Sequence, residues 1–361
     1  MISAILFISF FIFLILGVPI GICLGLSSVC AILYSGTSLT IVATNMYSGI
    51  SKFLLLAIPF FVLSGNIMAK AGISKRLIKF VDTCVGHKKG GIAIVCVIVA
   101  CFFGAISGSG PATVAALGAV LIPAMVEQGG FSAPFSTALM ATSSSIAIVI
   151  PPSIAFVVYA SITGTSIADM FMAGIVPGLL MGVALVIVVM LEAKKHNIKP
   201  SREKASGKER WDAFKDAFWG FLMPVIILGG IYGGIFTPTE EAAVAIFYGL
   251  FVGTFIYKTF NSWDKLLHVL FESVKATAVI MFVVTCAGLF AWVASTVGLV
   301  ERGAAVLLAL SDNPWALLFL INVILLAAGM IMDAISIYYV LLPFLLPIVH
   351  HFAWDPVWFG V

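Results

Sequence analysis

The feature that most constrains this chain is a stretch between residues 90 and 127 in which two apolar arms flank a short polar tip. The arms cover residues 91–106 and 111–126, and the tip reads Ser107-Gly108-Ser109-Gly110-Pro111. Each arm of about 16 residues makes roughly 24 Å of helix, whereas a full crossing of hydrocarbon needs roughly 30 Å. Because lipid cannot satisfy an open backbone, a tip at that depth needs protein or a water-filled cavity around it. The pattern predicts a re-entrant hairpin; two short spans joined by an outside loop are the alternative.

The composition indicates an integral membrane protein. Of 361 residues, 62% are hydrophobic and only 10% are charged, against roughly 25% charged residues in soluble domains. The net charge of +3 is too small to favour nucleic-acid binding. The six cysteines form no CxxC pair and lie mostly in apolar runs, so free thiols are predicted. The apolar N-terminal stretch lacks a basic region and runs too long for a cleaved signal, so it is predicted to remain as a span.

Two basic segments predict the orientation in the membrane. Residues 70–89 carry six Lys and Arg against one Asp, and residues 194–210 carry seven against two Glu. Both segments are predicted to be cytoplasmic. The side of the N-terminus stays open, because residues 3–34 fit either one tilted span or two short ones broken at Gly17-Val18-Pro19.

An internal repeat is predicted from matching proline-containing stretches. Pro123 and Pro347 lie 224 residues apart in similar apolar contexts. The repeat predicts a second hairpin, with arms 314–329 and 336–349 around a tip at Met330–Ala334. Because an odd number of spans lies between the two hairpins, the second hairpin is predicted to enter the membrane from the opposite side. That arrangement is typical of an inverted repeat built for alternating access.

The span after the first hairpin, residues 134–163, is interrupted by Ser143-Ser144-Ser145 and by Pro151-Pro152. Two consecutive prolines remove backbone donors and free carbonyls one turn earlier. Such carbonyls with nearby hydroxyls suit a desolvated Na⁺, while half-helix N-termini suit a carboxylate. The repeat predicts an equivalent break beyond a helix start near Asp355, but the chain ends at Val361. The sequence is therefore predicted to be a fragment lacking one or two membrane segments.

Three stretches together resemble the large membrane subunit of tripartite ATP-independent periplasmic (TRAP) transporters: FFGAISGSGPATVAALGAVLIPAM, SIAIVIPPSIAFVVYASITGTSIADMFMAGIVPG and GGIYGGIFTPTEEAAVA. The resemblance covers the whole chain. Glu241 stands where this family usually has alanine, and the C-terminal proline break is missing. The predicted fold class is an all-α integral membrane protein, an inverted-repeat elevator-type transporter with two re-entrant helical hairpins and broken helices.

The resemblance implies the large permease subunit of a Na⁺-coupled secondary transporter that imports an organic acid of the C4-dicarboxylate or sialic acid class. A periplasmic substrate-binding protein would deliver the substrate, and a small four-helix membrane subunit would complete the permease. The implied location is the bacterial inner membrane, with many spans in the lipid bilayer, no enzyme activity, and no cofactor besides Na⁺ as the coupling ion. A standalone Na⁺- or H⁺-coupled carboxylate symporter is the alternative. An intramembrane enzyme is disfavoured, because no histidine lies within the apolar blocks.

The hypothesis for the site places a first Na⁺ at Ser107, Ser109 and Ser144, and a second, incomplete site at Gly329 and Asp333. The residues predicted to bind substrate or ions are Ser107, Gly108, Ser109, Gly110, Ser143, Ser144, Ser145, Pro151, Pro152, Gly329 and Asp333. An intramembrane carboxylate such as Asp333 is costly and usually functional. The alternatives are close helix packing for the serines, a structural kink for the prolines and a solvent-exposed helix cap for Asp333.

The predicted organisation alternates scaffold and transport parts. The parts are scaffold helices with a first amphipathic arm (1–90), the first hairpin and broken helix (91–163), scaffold helices with a cytoplasmic loop at 193–212 (164–275), a scaffold helix with a second arm (276–313), and the second hairpin with the start of a truncated helix (314–361).

Overall fold

The computed structural model describes all 361 residues, and its regular structure is helical throughout, without strands. Seven helical runs are long and apolar enough to cross a membrane: Phe53–Lys70, Gly110–Glu127, Ile167–Lys195, Gly207–Tyr232, Pro238–Ile256, Trp263–Thr296 and Ala334–His351. A bent pair, Ala133–Val149 with Ile154–Thr163, makes an eighth candidate, with 44° between its halves. The prediction of an all-α membrane protein is confirmed.

Seventeen helices are numbered here in chain order. They are α1 (Ile2–Ile15), α2 (Ile20–Ser35), α3 (Thr40–Ile50), α4 (Ala57–Lys70), α5 (Ile73–Val85), α6 (Gly91–Ser107), α7 (Gly110–Glu127), α8 (Ala133–Val149), α9 (Ile154–Thr163), α10 (Ile167–Lys195), α11 (Gly207–Tyr232), α12 (Pro238–Phe251), α13 (Trp263–Thr296), α14 (Leu299–Leu310), α15 (Pro314–Gly329), α16 (Ala334–His351) and α17 (Pro356–Gly360).

The chain forms two compact units. The first unit contains Met1–Leu55, Val158–Thr165 and Ala276–Gly360. The second unit contains Leu56–Val157 and Ser166–Lys275, and the terminal Val361 is grouped with it.

The N-terminal stretch of the first unit is two short helices rather than one tilted span. Gly17, at φ +77, lies between α1 and α2. The two helices pack against each other, and the Tyr34 hydroxyl lies 3.7 Å from the Met1 sulfur. Both outer ends of this pair therefore lie on the same side, which the sequence left open.

The two basic segments of the second unit lie together. Arg202, in the loop between α10 and α11, has its Nη1 2.9 Å from Oδ2 of Asp82 on α5, and its Nη2 donates to Glu209. Hydrogen bonds to Glu209 and then to Asp82 raise the pKa of Arg202. The Ser201 hydroxyl donates to the Gly86 carbonyl at 3.1 Å. These contacts place both segments at the same end of the second unit.

The structure supports the predicted internal repeat. Gly72 and Gly298, which lie 226 residues apart, precede α5 and α14 at φ +82 and +67, a conformation that favours glycine. Each of these helices is followed by a helical hairpin, α6–α7 and α15–α16. The residues that cap the second helix of each hairpin, Ser109 and Asp333, lie 224 residues apart, at the same offset as the matched prolines.

The second hairpin packs on the arm that precedes it. Ala304 of α14, Leu317 and Ile321 of α15, and Leu345 and Ile348 of α16 form one buried cluster. Burying such side chains contributes roughly 1.5–3 kcal/mol each in water, but in lipid the gain comes from close packing instead. The structure thus contains the two helical hairpins and the broken helix of the predicted all-α membrane fold.

Candidate functional site

The tip of the first hairpin is very short. The chain leaves α6 at Ser107, turns at Gly108 with φ +60, and enters α7 at Gly110. Between the two helices Ser109 is extended, and its hydroxyl accepts from the Ala112 N–H at 3.5 Å. The carbonyl end of α6 and the N–H end of α7 therefore meet within a few residues.

Hydroxyl and carbonyl oxygens cluster at this tip. The Ser107 and Thr113 hydroxyls lie 3.1 Å apart, and Thr113 Oγ1 donates to the Ser109 carbonyl at 2.9 Å. Ser107 and Thr113 are both buried. Neutral oxygens of this kind are the ligands that hard cations prefer. The cluster forms a candidate cation site whose oxygens bond one another in this structure.

The break between α8 and α9 is held by one serine. Pro151 and Pro152 follow the end of α8, with a cis peptide bond between them. The fully buried Ser153 then donates through Oγ to the Ile148 carbonyl and accepts from the Phe156 N–H at 3.3 Å. Ser153 therefore satisfies a carbonyl at the end of α8 and caps α9 at the same time.

The hairpin tip and the break are joined directly. The Gly108 carbonyl accepts from the Ile154 N–H at 3.2 Å. A Cβ at Gly108 would lie 2.5 Å from the Pro152 carbonyl oxygen, and a Cβ at Gly110 would lie 3.2 Å from the Ser144 carbonyl oxygen. The backbones approach so closely that Gly108 leaves no room for a side chain and Gly110 leaves very little. The structure therefore brings predicted residues from the tip and from the broken helix into one place.

The three serines of α8 face different surroundings. The Ser143 hydroxyl is buried beside Cys96 and has no hydrogen-bond partner that meets normal geometry. The Ser144 and Ser145 hydroxyls each donate to a carbonyl three residues earlier, at 2.7 Å. Ser144 presents its carbonyl to the tip at Gly110. Among these three serines, Ser144 contributes a backbone oxygen to the site. The Ser144 and Ser145 hydroxyls bond within α8, and the Ser143 hydroxyl faces α6.

In the first unit, the tip of the second hairpin is open. Gly329 ends α15 with free space around it, and Met330 is 86% exposed. Asp333 caps α16: its Oδ2 accepts from the Ile335 N–H at 3.1 Å, and its Oδ1 accepts from the Ser336 hydroxyl. The cap that the sequence allowed for Asp333 is thus present inside the hairpin.

The match with known proteins covers almost the whole chain. Residues 7–361 match the family described as "Tripartite ATP-independent periplasmic transporter, DctM component". The chain belongs to this family. DctM proteins are transporter components, which confirms the prediction of a multi-pass permease without enzyme activity.

Relatives with curated names agree with this family. The chain is 39% identical over 361 residues to the C4-dicarboxylate TRAP transporter large permease protein DctM of Rhodobacter capsulatus, covering 96% of this chain and 81% of that protein. It is 38% identical over 346 residues to the sialic acid TRAP transporter large permease protein SiaM of Vibrio cholerae, covering 96% and 80%. A crystal structure of the Alcanivorax borkumensis YdaH transporter superposes with a TM-score of 0.60 at 17% identity, covering 88% of this chain and 73% of that one. At that identity the likeness concerns the fold alone.

Two residues of this candidate site were not predicted from the sequence. Ser153 was not among the predicted site residues, although it bridges the break. A serine ahead of an apolar run is a common N-cap signal, and it could have identified Ser153. Thr113 is likewise absent from the predicted site residues, and its hydroxyl forms two hydrogen bonds at the tip.

Proposed function

We propose that this chain is the large permease subunit of a Na⁺-coupled transporter that imports an organic acid across the bacterial inner membrane. The relatives' names point to C4-dicarboxylates or sialic acid as the substrate class. A periplasmic binding protein would supply the acid, and a small four-helix membrane subunit would complete the permease. The hairpins would enter the membrane without crossing it and move with the broken helix as one elevator body.

The observation that carries the proposal is the meeting of four helix ends at the bond between Gly108 and Ile154. The C-terminal ends of α6 and α8 bring carbonyl oxygens, and a helix C-terminus carries a partial negative charge of roughly half an electron. The N-terminal ends of α7 and α9 bring N–H groups and the opposite partial charge. One place thereby offers oxygens to a Na⁺ and N–H groups to a carboxylate. A bound Na⁺ would also offset the substrate's negative charge where the dielectric is low.

The first Na⁺ would use the hydroxyl of Ser107 and backbone oxygens at Ser109 and Ser144. Gly108, Gly110, Pro151 and Pro152 would shape the site by letting the backbones approach, and Ser143 and Ser145 would support it from within α8. The same helix-end pattern recurs where α15 ends at Gly329 and α16 begins after Asp333. We assign the second Na⁺ site to that tip.

Replacing Na⁺ by K⁺ on both sides of the membrane tests the proposal. With the chain reconstituted in proteoliposomes together with its small subunit and binding protein, uptake of labelled acid is expected to fall at least about tenfold, because allosteric coupling between ligands typically spans 5–150-fold. Uptake in Na⁺ with a protonophore present serves as the control for proton coupling. Equal uptake in K⁺ and Na⁺ would show that the transporter does not use a Na⁺ gradient.

Substitutions at the two proposed Na⁺ sites should change the dependence on Na⁺ rather than the amount of protein. Ser107→Ala and Asp333→Ala each remove a proposed side-chain ligand, and each is expected to raise the Na⁺ concentration for half-maximal uptake by roughly 3–10-fold, a coupling of about 1 kcal/mol. Asp333→Asn separates two roles, since asparagine still caps a helix but carries no charge. Thr142→Ala is the matched control, because that exposed hydroxyl bonds only within α8. An unaltered Na⁺ dependence in both alanine variants would remove the site assignment.

A further inference from the structure

Two adjacent carboxyl groups at the start of α12 have opposite surroundings. Glu240 forms a capping box with Thr237: its Oε2 accepts from the Thr237 N–H at 2.8 Å, and the Glu240 N–H donates to the Thr237 hydroxyl. Glu241, one position on, is 0% exposed. The capping box gives Glu240 a structural role at the helix start, whereas the Glu241 side chain takes no part in capping.

The Glu241 carboxyl group lies inside the second unit against α11. Neither of its oxygens has a hydrogen-bond partner. A Cβ at Gly230 of α11 would collide with its Oε2, and the Phe236 ring lies beside the same glycine. The carboxyl group therefore occupies space that a glycine leaves open between α11 and α12.

The helices packed against α12 bring no cation to Glu241. These helices are α4 and α11. From Ala57 to Ala69, α4 has no titratable side chain, and Lys70 at its end pairs with Glu272 at 3.0 Å. Beyond Asp216, the only titratable side chain of α11 is Tyr232. On α12 itself the other titratable groups are Glu240 and Tyr248, and the Tyr248 hydroxyl donates to the Trp219 carbonyl at 2.7 Å.

A carboxylate in this position would be an unpaired buried charge. Its desolvation costs far more than that of a neutral carboxyl group, which loses only ordinary hydrogen bonds with water. The neutral form also has an O–H donor, which the carboxylate lacks. The packed helix pair is thus compatible with the protonated form.

We propose that Glu241 is a proton-binding site between α11 and α12, occupied when the two helices are packed. The carboxylate takes one proton from water as the helices come together and releases it to water when they separate. Above roughly pH 4.3, the ordinary value for Glu, the folded protein holds a proton that the unfolded chain has lost. The contribution of Glu241 to the free energy of unfolding is therefore largest at low pH. It declines as the pH rises above that value, until the buried group ionises. A single proton changes the folding equilibrium by about tenfold per pH unit in that window.

Infrared spectroscopy tests the protonated state directly. We expect purified full-length protein at pH 7 to show the C=O stretching band of a buried, neutral carboxylic acid. That band should vanish in Glu241→Gln and persist in Glu240→Gln, the adjacent exposed control. Absence of the band in the wild-type protein, or its persistence in Glu241→Gln, would overturn the proposal.

Thermal unfolding in detergent, monitored between pH 5 and 9, gives an independent readout that requires no transport activity. The apparent melting temperature of wild-type protein should fall with rising pH more steeply than that of Glu241→Gln. Glu241→Ala serves the same purpose if the glutamine variant does not fold. Parallel pH profiles for the wild type and the folded variant would contradict the proposal. Because neither experiment uses substrate or Na⁺, a failure here is distinguishable from a failure of the proposed transport function.

Discussion

Gly108→Ala is expected to reduce Na⁺-dependent uptake at least about tenfold in protein that still reaches the membrane. The residue has φ +60, where a side chain costs roughly 1–2 kcal/mol. The new Cβ would also lie 2.5 Å from the Pro152 carbonyl oxygen, so the tip must move away from the break. The hydrogen bond from the Ile154 N–H to the Gly108 carbonyl would then be lost. Uptake in proteoliposomes, normalised to the amount of monodisperse protein, measures the effect.

Gly118→Ala is the matched control for this experiment. It lies in α7 of the same hairpin, and its added Cβ would meet the nearest atom, on Ile122, at an ordinary 3.5 Å. Alanine also favours a helix interior over glycine by about 1 kcal/mol. The control is therefore expected to fold and transport as the wild type does. Equal uptake by Gly108→Ala and Gly118→Ala would show that the contact between tip and break is not needed for transport.

Ser153→Ala is expected to lower both stability and uptake. The alanine leaves the Ile148 carbonyl and the Phe156 N–H without their side-chain partner inside the protein. Leaving a buried polar group unsatisfied costs about 1–3 kcal/mol, and losing a helix cap costs about 1 kcal/mol. We expect a melting temperature several degrees lower. We also expect uptake to fall about tenfold, because a loss of about 1.4 kcal/mol in support of the ordered break lowers its population relative to a disrupted break by a factor of ten. Thermal unfolding in detergent and reconstituted uptake check the two effects.

Two further variants show whether the hydroxyl of Ser153 is responsible. Ser153→Thr keeps the hydroxyl and should retain more activity than alanine. Thr142→Ala removes an exposed hydroxyl that donates to the Ala138 carbonyl within α8, and it should have little effect. If Ser153→Ala behaves like Thr142→Ala in both measurements, the break does not depend on this serine.

The sequence predicted the hairpins closely because their signals are local. The first arms were predicted at 91–106 and 111–126, and the helices run over Gly91–Ser107 and Gly110–Glu127. The arm predicted at 314–329 coincides with α15. Apolar runs define where a helix can lie in lipid, and glycine and proline mark where it stops. The doubled proline likewise predicted the break after α8.

The contacts within the site could not be predicted in the same way. The bond between Gly108 and Ile154 joins residues 46 positions apart, and it depends on how the hairpin packs against α8. From the sequence, residues 143–145 could be predicted as candidate ligands. The sequence could not decide that Ser144 would present its carbonyl to Gly110. Such choices depend on the rotation of each helix about its axis, which propensity and composition do not determine.

The sequence by itself determined the class of this protein: a helical membrane permease with two hairpins, a broken helix and an internal repeat. Hydrophobic length, glycine, proline and the distribution of basic residues are properties of the chain that need no partner. Only the tertiary structure decided that Ser153 bridges the break and that Asp333 caps α16. It also decided that Glu241 is buried beside an exposed Glu240. Adjacent helical residues point about 100° apart, so their surroundings depend on which neighbouring helices pack on each face.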